Sequence, residues 1–230
     1  MRSLILLFAL AVAGAFAPAQ AQKALPGLSE GVHYRYIEDG RPYAPLPPGM
    51  VEVAEVFHYT CPHCAQIAPM LESWKQGLPK HARLVLVPGV FDRDDAYARV
   101  FFAAQAAKSQ AVLHPRLFDA IHKTRSLPRN ASTAQLQAFA DGVPGGNAKA
   151  LAAALANDAA LLPKLRQANE FAARSRIEGT PSLVVGGRYL ILGNSYQALL
   201  DNARAVVDAL APARPQAKPQ PRPAAAPARR

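Results

Sequence analysis

Apolar and polar residues alternate in Val51-Glu-Val-Ala-Glu-Val-Phe57. This period of two predicts a strand with Val51, Val53, Glu55 and Phe57 on one face and Glu52, Ala54 and Val56 on the other. Ala65 to Trp74 then follows helical spacing. Leu84-Val-Leu-Val87, closed by Pro88-Gly89, predicts a strand buried on both faces of a sheet. Residues 51–87 therefore read as a βαβ unit. From Asp92 to about Ile177 the chain is alanine-rich and punctuated like a run of helices. Asp94 or Asp95 starts one helix through Lys108, and His114-Pro115 opens another with Leu117, Phe118 and Ile121 on one face. Ser132 or Thr133 caps a third that ends at Gly142, and Asn147 and Asp158 cap two more. Pro163 lies in the first turns of the last of these or kinks it. Ser182–Val185, the pair Gly186-Gly187 and Arg188–Leu192 predict a hairpin. A final helix from about Ser195 to Leu210 carries Leu199, Leu200, Ala203, Val206 and Val207. The order is βαβ, helical block, ββα, an α/β arrangement without internal repeats.

The two ends have other compositions. Arg2, the apolar stretch Leu4–Ala17 and the small-x-small site Ala19-Gln20-Ala21 form the pattern of a secretory signal, so the mature chain is expected to begin at Gln22. The competing reading is an uncleaved anchor, for which the apolar stretch is short. From Ala211 onward, proline, alanine and basic residues leave nothing that could build a core, and a disordered basic tail is expected. It is either a solvated spacer or a strip that leans on anionic envelope surfaces. The formal charge is +10, of which Arg2 carries one and Arg214, Lys218, Arg222, Arg229 and Arg230 five, leaving about +4 for the body. No basic stripe stands out there, so no nucleic-acid partner is expected.

The chain's two cysteines both lie in Cys61-Pro62-His63-Cys64, where the predicted strand gives way to the predicted helix. Two thiols at this spacing suggest a dithiol that cycles with its own disulfide. Pro62 suits the first helical position, which places Cys61 at the positive end of the helix dipole. Lowering a thiol pKa by three units takes about 4 kcal/mol, and a helix terminus offers up to ~2 kcal/mol. The remainder has to come from backbone N–H groups, from the Cys64 thiol and from a nearby or charged His63. Cys64, one turn further in, should be more buried and close the ring. A stabilised Cys61 thiolate favours the reduced pair, so the oxidised pair donates its disulfide readily. Two other readings stay open here: half a zinc site with His58 or His63, and an inert structural disulfide. Glu55 is an odd carboxylate among apolar neighbours. It is either used for proton transfer, as a raised pKa would allow, or it reaches the sheet edge and water. Trp74, Phe101 and Phe102 read as core, and His114 and His122 as helix-surface or capping residues. Asn130-Ala131-Ser132 matches a glycosylation sequon, a weak and common pattern.

Taken together, these residues resemble the thioredoxin superfamily and, within it, the exported DsbA-type thiol:disulfide oxidases. Cys61-Pro62-His63-Cys64 is similar to that family's active-site motif, and Glu55 to its buried acid, associated with proton transfer to the second cysteine. Pro69 resembles the kink proline of the active-site helix. Gly179-Thr180-Pro181 resembles the loop that faces the cysteines with a cis bond before proline; an ordinary trans proline at a strand start is the alternative. Tyr36–Tyr43 resembles the lead-in. Leu84–Val87 departs from the pattern in lacking a buried lysine, which leaves any relay to Glu55 and water.

The resemblance covers about residues 33–208. It implies a thioredoxin-like fold with an inserted all-helical domain. The expected layout is an export signal at 1–21, thioredoxin segments at 22–91 and 177–210, a helical insert at 92–176 and, outside the family's common pattern, the tail at 211–230. It also implies a low Cys61 pKa, substrate contacts at Thr180 and Pro181, and no bound cofactor. The implied partners are reduced, unfolded exported polypeptides and a membrane DsbB-type reoxidase that uses quinone. A periplasmic monomer is expected. Isomerases share the chemistry but usually add a dimerisation module, for which the residues before 50 are too few. Reductants usually carry Gly-Pro between the cysteines. A non-enzymatic envelope binding protein would keep its activity with both cysteines replaced by serine.

Overall fold

The computed structural model describes residues 24–90 and 95–212. The expected export signal, Asp94 as a helix start and the expected tail beyond Pro212 lie outside the described residues. A mixed five-stranded sheet runs in the order β1-β5-β4-β2-β3. Its strands are β1 (Tyr34–Tyr36), β2 (Val51–Phe57), β3 (Ala82–Pro88), β4 (Ser182–Val185) and β5 (Tyr189–Ile191). β2 and β3 are parallel, joined through α1 (Pro62–Gln76); the other neighbours are antiparallel. This is the thioredoxin-like α/β fold with a run of helices inserted after β3. β1, with no alternation of its own to announce it, forms an edge by pairing with β5. Gly187 explains the β4–β5 turn: its φ is +69°, and a Cβ there would collide with the backbone of Arg41 and Pro42.

Strand alternation sorts the core into two faces. Val51, Val53, Leu183, Val185, Tyr189 and Ile191 pack against Ile67 and Leu71 of α1 and against Leu200, Ala203, Val206 and Val207 of α7 (Tyr196–Ala209). Ala54, Val56, Val184 and Leu190 face the inserted helices. Those helices are α2 (Ala96–Ala106), α3 (Gln110–Phe118), α4 (Thr133–Asp141), α5 (Ala148–Leu155) and α6 (Asp158–Arg174). α3 runs on into a π-helical turn, Asp119–Lys123. Phe57 departs from the alternation. At the end of β2 the π-helical turn packs alongside α1, and Phe57 joins Tyr59, Phe101, His114 and Phe118 at ring distances of 5.0–6.0 Å.

Helix starts follow side-chain capping where an oxygen can reach the N3 amide. Asp95, Ser132, Asn157 and Ser195 each do so, and Ser132 with Gln135 forms a capping box. The cap of α6 is therefore Asn157, not Asp158. Asn147 sits at the cap position of α5 but turns its amide to the Ala107 carbonyl, 2.7 Å away. Pro115 does not open a helix; it lies inside α3, one turn from Ala111, and both line a cavity beside α1. The Ala111 carbonyl that Pro115 leaves without a partner is thus near water rather than sealed in a core.

Two further expectations are corrected. Leu84, Val85 and Leu86 are half-buried, because β3 is an edge strand beside that same cavity. His114 is buried, not superficial, with its Nδ1 2.9 Å from the Tyr59 hydroxyl. Burial pushes its pKa down to about 4, so it stays neutral while hydrogen-bonded to the Tyr59 hydroxyl. His122 is partly buried and donates from Nε2 to the Tyr59 carbonyl at 2.7 Å. Trp74 is half-buried against the α1–α7 core, whereas Phe101 and Phe102 are fully inside.

Phe101 joins this aromatic group through Phe57 and His114, with ring centroids 5.4 and 6.1 Å away, and is wholly shielded from solvent. Phe101→Ala should cost about 3–5 kcal/mol through lost burial and a residual cavity. Urea unfolding of the oxidised protein checks this; a loss below about 1 kcal/mol would show that the aromatic group is not the core of the helical insert.

Candidate active site

β2 ends at Phe57, and four residues later α1 begins with Cys61 at its N-cap, in extended backbone (φ −79°, ψ 118°), and Pro62 as its first residue. Strand and helix thus hand the two sulfurs to different surroundings. Cys61 is half-buried at the helix mouth, and Cys64, one turn deeper, is fully buried; both are free thiols. The neutral Cys61 thiol donates to the Thr180 carbonyl at 3.1 Å. Burial pushes the Cys61 pKa up. Hydrogen bonds to the ionised sulfur from the Thr180 side chain, the Cys64 amide and thiol, and the His63 amide outweigh it, and the net shift is down. For Cys64 the balance reverses. Burial pushes its thiol far up, the His58 amide and the Thr180 side chain offset part of that, and negative charge on Cys61 or Glu55 adds to it.

Glu55 lies on the α1 side of the sheet, paired in register with Leu86 and 3 % exposed. Burial pushes its carboxyl up to about 8, with help from the charges of Glu72 and Cys61. It therefore holds its proton at neutral pH. Glu52, on the opposite face, is a structural acid: its carboxylate accepts the Tyr43 and Ala44 amides at 2.6 and 3.2 Å and ties down the lead-in segment.

His63 is exposed, and what it brings to the Cys61 sulfur is its backbone amide. Its Nδ1 is 2.8 Å from the Tyr196 hydroxyl, which itself donates to Gln66 at 2.8 Å. The Thr180–Pro181 peptide bond is cis, the isomer that the resemblance implies. Thr180, Pro181, His63, Ile191, Leu192, Tyr196 and Leu199 line an open groove of about 610 Å³ beside the cysteines. A larger cavity of about 770 Å³ lies on another side of α1, lined by Ala65, Ala68, Glu72, Leu86 and His114, and contains neither cysteine. Among the described residues no three His, Cys, Asp or Glu side chains converge as a metal site.

All the sequence-predicted site residues gather around the mouth of α1 except Glu55, which lies beneath the helix. Tyr196 and Gln66 join them unannounced by the sequence, since only the packing of α7 beside α1 brings Tyr196 to His63. The arrangement can stabilise a thiolate at Cys61, keep Cys64 a neutral thiol, hold a proton on the buried Glu55 and offer an open groove beside Thr180.

Comparison with known proteins points the same way. A family model described as a DSBA-like thioredoxin domain matches residues 52–205. The thiol:disulfide interchange protein DsbA of Bordetella parapertussis is 32 % identical over 197 residues, covering 84 % of this chain and 88 % of that protein. The DsbA of Pseudomonas aeruginosa is 30 % identical, covering 82 % of this chain and 86 % of its own. The crystal structure of the oxidoreductase DsbA from Xylella fastidiosa superposes with a TM-score of 0.72 at 34 % identity, over 79 % of this chain and 96 % of that one. With the fold, the Cys-Pro-His-Cys helix mouth and this coverage in agreement, the chain belongs to the family of DsbA-like thioredoxin-domain oxidoreductases.

Proposed function

We propose that this protein is a thiol:disulfide oxidase that introduces disulfide bonds into exported polypeptides by donating the Cys61–Cys64 disulfide. The observation that carries this reading is the inequality of the two sulfurs: hydrogen bonds favour an ionised Cys61, and burial disfavours an ionised Cys64. A low-cost thiolate at the half-buried Cys61 sulfur stabilises the reduced pair and makes the disulfide oxidising. Its relatives are named thiol:disulfide interchange proteins, which supports the same reaction class.

In the proposed cycle a substrate thiolate attacks the Cys61 Sγ, and the Cys61–Cys64 bond breaks. Cys64 departs with the electron pair and takes up a proton, for which the protonated Glu55 is the assigned source. A second thiolate of the substrate then attacks the substrate's own sulfur in the mixed disulfide. Cys61 leaves as a stabilised thiolate, and the substrate carries a new disulfide. Two electrons have passed to the enzyme pair, and a membrane DsbB-type partner that passes them to quinone restores the disulfide. The groove beside His63, Thr180 and Pro181 is the assigned seat of the substrate, with the Thr180 backbone as its strand-like partner. We assign residues 22–91 and 177–210 to the thioredoxin part and 92–176 to the insert, after export on a cleaved signal at 1–21. The mature enzyme acts in the periplasm as a monomer.

Refolding of a reduced, denatured secretory protein tests the reaction. Cys61→Ser should abolish its oxidation, whereas Cys64→Ser should accumulate mixed disulfides through Cys61, visible on non-reducing gels. Equal trapping by both variants would contradict the assigned roles.

Glu55 makes a separate prediction. Its carboxyl titrates near 8 when folded and near 4.5 when free. Below 4.5 both states are protonated and Glu55 has no effect. As the pH rises toward 8 the unfolded chain releases a proton that the folded one keeps, so folding loses stability. The loss is roughly 3 kcal/mol at pH 7. Glu55→Gln should remove this slope, so its urea midpoint gains on the parent's with rising pH when both are oxidised. A difference that stays constant with pH would show that Glu55 is not held protonated.

A further inference from the structure

His58 stands between the last residue of β2 and Cys61, and both its side chain and its backbone are committed. Nε2 lies 3.0 Å from Asp95 Oδ2, with the two side chains 10 % and 8 % exposed. Nδ1 meets the Thr60 hydroxyl at 2.7 Å and the Thr60 amide at 3.2 Å. A backbone amide can only donate, so Nδ1 is the acceptor and Nε2 carries the proton toward Asp95. The other Asp95 oxygen accepts the Ala98 amide at 2.9 Å and caps α2. Two donors meet two oxygens, which a carboxylate satisfies and a carboxamide cannot.

The backbone of the same residue serves the cysteines. The His58 carbonyl accepts the Cys61 amide at 3.0 Å. Its N–H is directed at the Cys64 sulfur. Nothing in the exchange cycle above uses the His58 imidazole or Asp95.

We propose that His58 is a positioning residue, anchored by Asp95 of the helical insert, whose clamped imidazole holds its own peptide groups where they serve both active-site sulfurs. This rests on the exchange reaction proposed above. When a thiolate attacks Cys61, negative charge arrives on Cys64, and the His58 N–H is the donor already in place. A fixed donor to a forming thiolate speeds departure of that sulfur. Through the Asp95 contact, the cap of α2 takes part in setting how readily the disulfide opens. A tie that served stability alone would behave in the opposite sense: loosening the loop would expose the disulfide and quicken its attack.

The test uses the full, oxidised chain with glutathione as the attacking thiol at fixed pH. The rate of Cys61–Cys64 opening is followed by acid trapping and mass spectrometry. Three variants are compared with the parent: His58→Phe, Asp95→Ser, which keeps a capping hydroxyl for α2 but is too short to reach His58, and the double. Each single variant should open about tenfold more slowly, the effect of weakening one charge-assisted hydrogen bond. The double should be no slower than either single, since both remove one clamp. Parent-like or faster opening in Asp95→Ser, or losses that multiply in the double, would overturn the proposal. A parent that glutathione cannot reduce at all would sink the exchange reading and this inference with it, a result distinct from parental opening with unaffected variants.

Discussion

Negative charge on sulfur costs little at the mouth of α1 and much one turn deeper. The rest of the site follows from that difference. Both sulfurs belong to one short motif, so the asymmetry is not a matter of residue type. It arises because Cys61 occupies the N-cap, where amides of the first turn have no helical partner, while Cys64 lies inside the packed helix. The Thr180 side chain favours the ionised form of either sulfur, and its carbonyl accepts from the neutral Cys61 thiol. A stabilised charge at the half-buried position and a disfavoured one at the buried position favour one direction for the disulfide: in the proposed cycle Cys61 is the sulfur attacked, and Cys64 is the one expelled and protonated.

The fold exists in this form because two cores share one sheet. α1 and α7 cover one face, and the inserted helices cover the other. β2, buried along its whole length, holds the active-site loop between them. That position lets a single strand carry a structural acid, Glu52, on one side and a proton-holding acid, Glu55, on the other. It also lets residues from the insert reach the active-site loop. His114 and His122 grip Tyr59, and Asp95 grips His58, so three consecutive contacts join the two parts just before Cys61.

The sequence was most legible where local chemistry decides structure. The Cys-Pro-His-Cys start of α1, the cap at Ser132, the hairpin at Gly186-Gly187 and the buried Glu55 all follow from spacing or backbone rules acting within a few residues. It was least legible where distant segments meet. A continuous apolar run at Leu84–Val87 looks the same in a central strand and in an edge strand flanked by a cavity. Pro115 reads as a helix opener because the cavity that tolerates it is made by other elements. Three residues of β1 carry no pattern, and only β5 makes them a strand. Within the site, Tyr196, Gln66 and the His58–Asp95 pair are products of packing, and no motif in the chain announces them.

The ionisation of Cys61 underlies every step of the exchange chemistry. Alkylation of the reduced protein by iodoacetamide, measured across acidic to alkaline pH with the modified residue identified by mass, reads it directly. Cys61 alone should react, with a midpoint below that of a free cysteine, about 8.5. A midpoint at or above that value, or modification of Cys64 in step with Cys61, would contradict it.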